Sequence, residues 1–321
     1  MSGIGGGVPA AAPLDPAKFQ DPDRTARGEP RARVALRALE TLWLNTGTLC
    51  NIACARCYIE SSPRNDRLAY LRLEDVLPFL EEIRERGLPT RTIGLTGGEP
   101  FMNPDILSLL DACLARGFRV LALTNAMRPM MRHAAGLAAV HARYPGRLAL
   151  RVSLDHYSRA LHEAERGPRS FEPTLAGLGW LAAAGFAPSV AGRTMWGEDV
   201  ASLRAGYARL FAERRLAIDA SDPAVLLLFP EMDERADVPE VSESCFATLG
   251  VDPETLMCAS GRMLVKRRGE SRPVVLPCTL LPYDPRFELG ATLAAAEGSV
   301  PLNHPHCARF CVLGGGSCEG G

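Results

Sequence analysis

Three cysteines within eight residues, Cys50, Cys54 and Cys57, constrain this chain more than any other feature. Tyr58 follows the third directly, and the apolar run 42–44 precedes the group. This pattern predicts a short buried strand that delivers a cysteine-rich loop to one end of a sheet. Three thiolates at these spacings can each bind one iron of a 4Fe-4S cluster and leave the fourth iron without a protein ligand. The loop therefore predicts a cluster with one coordination position open to a second molecule.

The distribution of the cysteines supports metal binding rather than disulfide formation. Of the ten cysteines, all but Cys113 lie in the loop or beyond residue 244. The N-terminus lacks the basic and apolar regions of a signal peptide, so a cytoplasmic location is expected, where thiols stay reduced. In a reducing compartment, clustered cysteines are typical of metal or iron–sulfur sites.

Composition excludes several other classes of protein. A net charge of −1 over 321 residues gives no field that would attract nucleic acid or an anionic membrane. No apolar run approaches the ~20 residues of a transmembrane helix. The length is sufficient for one large domain and a smaller one. The divisions that we predict are a flexible extension over 1–36, a strand–helix domain over 37–235 and a cysteine-rich domain over 236–321.

The middle division alternates strands with helices. Apolar strands are predicted at 42–44, 92–95, 118–123, 148–154, 188–191 and 225–229. Helices are predicted from 73 to 87, 103 to 117, 129 to 144 and 173 to 185, and from Asp199 onward. This alternation indicates an α/β fold with right-handed crossovers and a parallel sheet, as either a doubly wound sheet or a partial barrel. In both, chemistry takes place at the carboxyl ends of the strands, where the cysteine loop lies.

A second motif, Gly97-Gly98-Glu99-Pro100, directly follows the second predicted strand. Paired glycines let a polar ligand approach the main chain closely, and the proline stiffens the exit from the turn. Alone, this segment is also compatible with an ordinary strand-to-helix turn.

Together, the two motifs resemble the radical S-adenosylmethionine (SAM) superfamily in residues, order and separation, over about 38–230. The resemblance implies a partial (β/α)6 TIM-like barrel and a 4Fe-4S cluster held by Cys50, Cys54 and Cys57. SAM would chelate the fourth iron, and Gly97, Gly98 and Glu99 would receive its amino group, mainly through main-chain atoms. Tyr58 and Pro100 complete the two motifs.

The resemblance also implies a reaction. A reductase or flavodoxin-type donor would supply an electron, SAM would be cleaved, and the 5′-deoxyadenosyl radical would abstract hydrogen from a peptide or small-molecule substrate. A dry, closed barrel is needed to protect such a radical.

The resemblance also implies roles for further residues at the strand ends. Asn125 after the third strand, with Ser153 and Asp155 at the end of the fourth, resemble contacts to the ribose and carboxylate of SAM. They are equally well explained as turn residues. Arg193 could neutralise the carboxylate of SAM or be a surface arginine.

The C-terminal division predicts a second site. Residues 263–266 and 274–277 read as a β-hairpin with Cys258 and Cys278 near its outer ends, and Cys307, Cys311 and Cys318 follow. The segment resembles the SPASM and twitch auxiliary-cluster domains of the same superfamily. Outside the loop and Cys113, six cysteines remain, whereas two fully ligated clusters need eight.

We therefore expect one auxiliary 4Fe-4S cluster in a small α+β domain. Four of the five cysteines Cys258, Cys278, Cys307, Cys311 and Cys318 would hold it. A structural zinc site, with His304 and His306 as further ligands, is the alternative. Cys245 has no predicted role, and Cys113 is expected to be a buried apolar residue.

The substrate is not predicted beyond its class. Enzymes with similar tails act on peptides or on small metabolites, and residues 1–36 are too short and glycine-rich for a winged-helix domain that recognises a leader peptide. The alternative from another class is a non-enzymatic iron–sulfur or zinc protein that acts as a scaffold or carrier.

Overall fold

The structure, a computed structural model, describes residues 12–316. Within that range, eight strands form one mostly parallel sheet in the order β7-β6-β5-β4-β3-β2-β8-β9, and β1 pairs with β10 in a separate ribbon. The strands are β1 Arg33–Val34, β2 Thr41–Asn45, β3 Thr92–Thr96, β4 Arg119–Thr124, β5 Leu148–Ser153, β6 Ser189–Arg193, β7 Leu226–Phe229, β8 Gly261–Val265, β9 Val274–Leu276 and β10 Val300–Pro301.

Nine α-helices lie in the described part of the chain. They are α1 Leu73–Glu85, α2 Ile106–Ala115, α3 Arg128–Arg132, α4 Ala134–Arg143, α5 Arg159–Arg166, α6 Phe171–Ala183, α7 Val200–Glu213, α8 Glu243–Leu249 and α9 Met257–Ser260, and a π-helical turn follows at Cys307–Val312. Helices α1, α2, α6 and α7 pack against the parallel strands. The mostly parallel sheet confirms the α/β class and is consistent with the partial barrel. None of the helices in the described part of the chain combines the length and hydrophobicity needed to cross a membrane.

The first two barrel strands show why the apolar runs form a sheet core. β2 pairs with β3 in register from Thr41 opposite Thr92 to Asn45 opposite Thr96. Leu42 and Leu44 are fully buried, and each fully buried leucine stabilises the fold by about 1.5–3 kcal/mol. This pairing places the ends of β2 and β3, and so both sequence motifs, side by side.

Two helical predictions differ from the structure. The helix expected over 129–144 is two helices, α3 and α4, which meet at His133. Helix α5 was not predicted at all, because its sequence is mostly charged and its buried residues are His162 and Glu165 rather than apolar side chains. A search for apolar periodicity cannot find such a helix.

The C-terminal hairpin is confirmed, but it is part of the barrel sheet. β8 pairs with β9 antiparallel and also with β2 in parallel, from Thr41 opposite Gly261 to Leu44 opposite Leu264. The expected boundary near residue 236 thus does not separate two sheets. Residues 263–265 of β8 are fully buried because β8 has a neighbouring strand on each side.

The N-terminal segment also differs from the expected flexible extension, whose first eleven residues lie outside the described range. Residues 12–36 lie against the C-terminal segment: Phe19 is 2% exposed, and the buried Arg31 donates to Glu240 at 2.6 Å. β1 pairs with β10 across the chain, from Arg33 opposite Pro301. The composition suggested a solvated tail, but these charged side chains have specific partners in distant segments.

A second apolar core forms where these segments meet. It joins residues of the N-terminal segment, such as Phe19 and Val34, to the C-terminal cysteines and to Phe310. The first core occupies the space between the barrel strands and helices α1, α2, α6 and α7.

Candidate active site

The three cysteines of the loop lie beyond the carboxyl end of β2 and border a cavity of about 180 Å³. Cys50 is buried, whereas Cys54 and Cys57 are partly exposed. Of the nine residues predicted to contact SAM, all but Glu99 line the same cavity: Tyr58, Gly97, Gly98, Pro100, Asn125, Ser153, Asp155 and Arg193. The fold therefore brings the predicted residues of four strand ends to one place.

The glycines of the second motif are required by the cysteine loop itself. Gly98 donates from its amide to the Gly47 carbonyl at 2.8 Å, and the Glu99 amide donates to the Leu49 carbonyl at 3.1 Å. A Cβ atom on Gly98 would lie 2.2 Å from the Leu49 oxygen, and one on Gly97 would lie 2.5 Å from the Gly47 oxygen. Gly97 also has a φ of +130°, which side chains rarely adopt. The sequence predicted close approach by a ligand; in the structure, the backbone of the cysteine loop makes that approach.

Asn103 also fixes the cysteine loop through hydrogen bonds. Its side-chain amide, fully buried, donates to the carbonyls of Thr46 at 3.1 Å and Leu71 at 2.8 Å. The sequence placed Asn103 at the start of a helix, but α2 begins only at Ile106. The chain between β2 and Cys50 is thus fixed by main-chain and side-chain hydrogen bonds on both sides.

Glu99 is buried and does not line the cavity; its side chain instead binds groups at the end of β4. Its carboxylate accepts hydrogen bonds from the Thr124 hydroxyl at 2.8 Å and the Asn125 amide at 2.8 Å. Burial raises the pKa of Glu99 to about 7, against the effect of these hydrogen bonds. The side chain ties the end of β3 to the end of β4. The Asn125 side chain in turn donates to Asn51 at 2.9 Å and lies 3.9 Å from Cys50 Sγ.

Helix α5 holds the other side of the cysteine loop through Glu165. This residue is 2% exposed, and its carbonyl accepts from the Ala55 amide at 2.7 Å. Its carboxylate accepts from the Arg56 amide at 2.8 Å and from Arg193 Nη1 at 3.0 Å. Arg193 also donates to Glu231 at 3.2 Å, so the guanidinium predicted for SAM already bridges two carboxylates, of which Glu165 lines the cavity.

The neighbouring Arg166 places a partly buried positive charge near the thiols. Its guanidinium binds the Asp155 carboxylate through two hydrogen bonds of 2.9 and 3.0 Å. Burial acts to lower the pKa of Arg166, but the Asp155 carboxylate together with Cys54 and Cys50 raises the pKa overall, so the group stays charged. Burial raises the pKa of Cys50 to about 12 and that of Cys54 to about 11, and Arg166 opposes both shifts. The thiols therefore need a bound cation to ionise near neutral pH.

His156 and Glu198 follow β5 and β6, respectively. They bind each other at 2.6 Å, and Tyr157 donates to Glu198 at 2.6 Å. Neither His156 nor Glu198 lines the cavity, and His156 is 1% exposed. Their hydrogen bonds join the segment after β5 to the segment after β6.

The far wall of the cavity is apolar and borders the C-terminal cysteines. Phe229, Met232, Leu280 and Phe310 line it, and Phe310 lies between Cys307 and Cys311 in sequence. A cavity with a polar, thiol-bearing wall and an apolar wall suits a substrate with an apolar portion.

The C-terminal cysteines gather in the second core. Cys258, Cys278 and Cys307 are buried there, and Cys245 and Cys311 pack against it. Cys318 lies outside the described residues. Burial raises the pKa of Cys307 to about 12, and the nearby Cys258 adds to the shift. Cys113 is fully buried in the first core, as expected.

Arg262 sits beside this group of thiols. It is 1% exposed and donates to the carbonyls of Cys258 and Ala296, each at 2.8 Å. Burial lowers the pKa of Arg262 to about 10, whereas the nearby Cys258 and Cys278 act in the opposite direction. A buried guanidinium favours the anionic form of neighbouring thiols.

Sequence reasoning missed Glu165, Arg166 and the anchoring role of Asn103. The sequence did contain a signal, the pair Glu165-Arg166 in a charged stretch after a strand end. From the residue pattern alone, however, such a stretch is interpreted as a solvated helix face. Their burial depends on the cysteine loop folding over them.

Comparisons with known proteins agree with this geometry. A family model described as Radical SAM superfamily matches residues 44–200. Mycofactocin maturase MftC of Mycobacterium ulcerans is 32% identical over 139 residues, which is 43% of this chain and 35% of that protein. The subtilosin biosynthesis protein AlbA of Bacillus subtilis is 30% identical over 152 residues, or 46% of this chain and 32% of that protein. The matched region spans only about a third of these relatives.

Solved structures show the same fold. Streptococcus suis SuiB bound to precursor peptide SuiA aligns with a TM-score of 0.57 at 13% identity, over 80% of this chain and 63% of that one. The structure of anSMEcpe with bound AdoMet aligns with a TM-score of 0.56 at 12% identity, over 80% of this chain and 79% of that one. Residues 44–200, just under half of the chain, are thus similar to the radical SAM superfamily and carry both sequence motifs.

Proposed function

We propose that this chain is an enzyme that cleaves SAM reductively and uses the resulting radical to abstract hydrogen from a peptide substrate. The observation that carries the proposal is the cysteine loop, which main-chain hydrogen bonds hold against Gly98 and Glu99 beside a cavity. Peptide chemistry is supported by the relatives named as maturases and by the peptide bound to SuiB. The match of residues 44–200 to the Radical SAM superfamily model disfavours a non-enzymatic scaffold or carrier.

The residues of the cavity fit a cluster and SAM. Three thiols converge from one loop, and no three thiols among residues 12–316 lie within 4.8 Å of one another. A tetrahedral zinc site with bonds of ~2.3 Å would need separations of roughly 3.8 Å, whereas a cubane spreads its thiolates over different irons. The buried Ser61 hydroxyl on the cavity wall has no hydrogen-bond partner among the described residues and could bind a ligand. When bound, the cluster would supply the electron that cleaves SAM.

The protein would contribute orientation and charge. Cys50, Cys54 and Cys57 would hold three irons, and the loop amides would keep them facing the cavity. Arg193, with Glu165 and Glu231, would orient polar groups of SAM at the wall. The apolar side chains at the far wall would exclude water from the reacting atoms. Asn125 and Ser153 would face the ribose.

An auxiliary 4Fe-4S cluster is the second part of the proposal. Cys258, Cys278, Cys307 and Cys311 share one apolar core, and either all four or three of them with Cys318 would ligate it. Arg262 would offset the negative charge of the thiolates. A reductase or flavodoxin-type protein would donate the electrons.

The test is release of 5′-deoxyadenosine by the anaerobically reconstituted full chain, given dithionite and SAM. Joint replacement of Cys50, Cys54 and Cys57 by alanine should abolish release and lower the iron content from about eight to about four per chain. The matched control, Cys113→Ala, removes a cysteine from the first core and should retain release. No release by protein with full iron content would refute the enzyme.

The substrate class has its own test. A deuterated peptide pool should transfer deuterium into 5′-deoxyadenosine, measured by mass spectrometry, whereas a deuterated extract of small metabolites should not. Transfer only from the small-molecule extract would refute the peptide substrate and leave the cleavage of SAM intact. About four irons per chain together with bound zinc would refute the auxiliary cluster alone.

A further inference from the structure

Three metal-binding side chains from two distant segments converge beside the second core, away from the cavity. Glu234 lies in the linker after β7, and His304 and His306 precede the π-helical turn. Their donor atoms all lie within 4.8 Å of one another. His304 Nε2 is 3.5 Å and His306 Nε2 is 3.8 Å from the same carboxylate oxygen of Glu234.

These separations are too long for hydrogen bonds and close to those of metal ligands. A charged histidine paired with a carboxylate approaches to about 2.7–2.9 Å. Zinc with bonds of ~2.0–2.1 Å separates tetrahedral ligand atoms by roughly 3.3 Å. The observed 3.5 and 3.8 Å need only a few tenths of an ångström of adjustment. The two imidazoles are tilted against each other with centroids 4.8 Å apart, so the rings do not stack face to face.

One side of the site is buried in the protein, and the other side is exposed to solvent. His306 is 2% exposed, and its Nδ1 has no hydrogen-bond partner among the described residues. The side chains of His304 and Glu234 are 13% and 57% exposed. Glu234 and His304 also line a cavity of about 450 Å³ under the N-terminal segment, together with Lys18 and Phe19. Water can therefore reach the remaining coordination positions.

The charges around the site are compatible with a cation. Burial has the largest effect on the pKa of Glu234 and raises it. Glu60, Asp233 and Asp284 add to this shift, whereas Arg235, which pairs with Asp233 at 3.5 Å, opposes it. Of the nearby cations, Arg286 is held by Asp284 at 2.7 Å, and Arg309 donates to the carbonyls of Ala236 and Asp237. These arginines are engaged with other acceptors.

We propose that Glu234, His304 and His306 bind one divalent first-row metal ion, preferentially Zn²⁺, with water completing the coordination. Two imidazoles and one carboxylate favour zinc over magnesium or calcium, which prefer oxygen ligands. No cysteine belongs to this set, so the site is distinct from the thiol groups.

Binding would have structural consequences. The ion would cross-link the linker after β7 to the segment that carries Cys307 and Cys311. The His306 amide donates to His304 Nδ1 at 3.2 Å, so ligation through Nε2 would move the ring proton to Nδ1 and break that hydrogen bond. Zinc must outweigh the loss of one hydrogen bond, about 0.5–1.5 kcal/mol.

The experiment uses the full, reconstituted chain with its iron–sulfur content intact. Titration with Zn²⁺ should give one equivalent per chain above the iron, by elemental analysis after desalting. Titration with Co²⁺ should give visible d–d absorption without the near-ultraviolet band of a cobalt–thiolate bond. Either Zn²⁺ binding of less than one equivalent or a cobalt–thiolate band at that equivalent would overturn the assignment.

Variants assign the ligands. Glu234→Gln keeps the size of an exposed side chain and should weaken zinc affinity by more than about 10-fold, since even residues that only orient a ligand contribute 10–100-fold. His304→Gln and His306→Gln should abolish stoichiometric binding. Glu243→Gln, at an exposed position of α8, is the matched control and should bind as wild type. Equal affinity in wild type and Glu234→Gln, with unchanged circular dichroism and iron content, contradicts the proposal even if a histidine variant misfolds.

Discussion

Replacing Gly98 by alanine should separate the cysteine loop from the second motif. The added Cβ would lie 2.2 Å from the Leu49 carbonyl oxygen and 2.8 Å from that of Thr48. Both obstacles are backbone atoms, so no side chain can rotate away. Since non-bonded contacts lie at about 3.5–4.0 Å, the loop must move by roughly 1 Å or more.

The expected size follows from the hydrogen bonds at stake. Such a shift would break the bond from Gly98 to Gly47, 2.8 Å, and that from Glu99 to Leu49, 3.1 Å. At about 0.5–1.5 kcal/mol each, the free energy of unfolding should fall by roughly 1–3 kcal/mol. The rate of 5′-deoxyadenosine release should fall by about 100-fold, as expected for a 1 Å misplacement of reacting groups.

Gly179→Ala is the matched control for this variant. Gly179 lies within α6, and an added Cβ there would meet nothing within 4 Å. Because glycine is less favourable than alanine in a helix, this variant should be more stable by about 0.5–1 kcal/mol. Thermal unfolding, iron content and product release of both variants provide the measurement. Wild-type values in all three for Gly98→Ala would refute the role assigned to the glycine.

Two further predictions concern helix α5. Glu165→Ala leaves Arg193 and the Arg56 amide without a buried acceptor, so unfolding in urea should show a loss of about 3–5 kcal/mol. The control Glu172→Ala removes two exposed ion pairs, with Arg159 and Arg214, and should cost at most about 1 kcal/mol for each, and a loss equal to that of Glu165→Ala would contradict the prediction. Burial lowers the pKa of His162 from 6.5 to about 4, so its neutral ring contributes stability that is present above pH 6.5 and is lost as the pH falls towards 4. His162→Phe should remove this dependence, about 3 kcal/mol over that window, and an unchanged dependence in urea unfolding at several pH values would count against it.

Much of the fold could be predicted from local patterns. The strands at 92–95 and 148–154 and the hairpin near 263–276 were predicted because continuous apolar runs and their turns are properties of neighbouring residues. Helix α5 was missed for the same reason, since its buried face consists of His162 and Glu165. A pattern of apolar residues does not register polar side chains that are buried by pairing.

The candidate site, like the fold, could be predicted from the sequence only in part. The spacing of Cys50, Cys54 and Cys57 and the order of the two motifs were sufficient to predict the class of chemistry, because consecutive strand ends meet at one edge of a parallel sheet. The residues that fix the cysteine loop in place could not be predicted. Glu165 and Asn103 act on the loop from distant parts of the chain, and only the folded chain brings them within hydrogen-bond distance.

The sequence alone determined that a thiol loop and a glycine motif would follow two adjacent strands, since both depend on short-range spacing and apolar burial. Only the tertiary structure decided that Gly98 is needed for contact with Leu49, that residues 12–36 pack on the C-terminal segment, and that Glu234 meets His304 and His306. Each of these depends on which segments, far apart in the chain, become neighbours. Hydrogen bonds, ion pairs and steric contacts act over a few ångströms in space, whatever the separation in sequence.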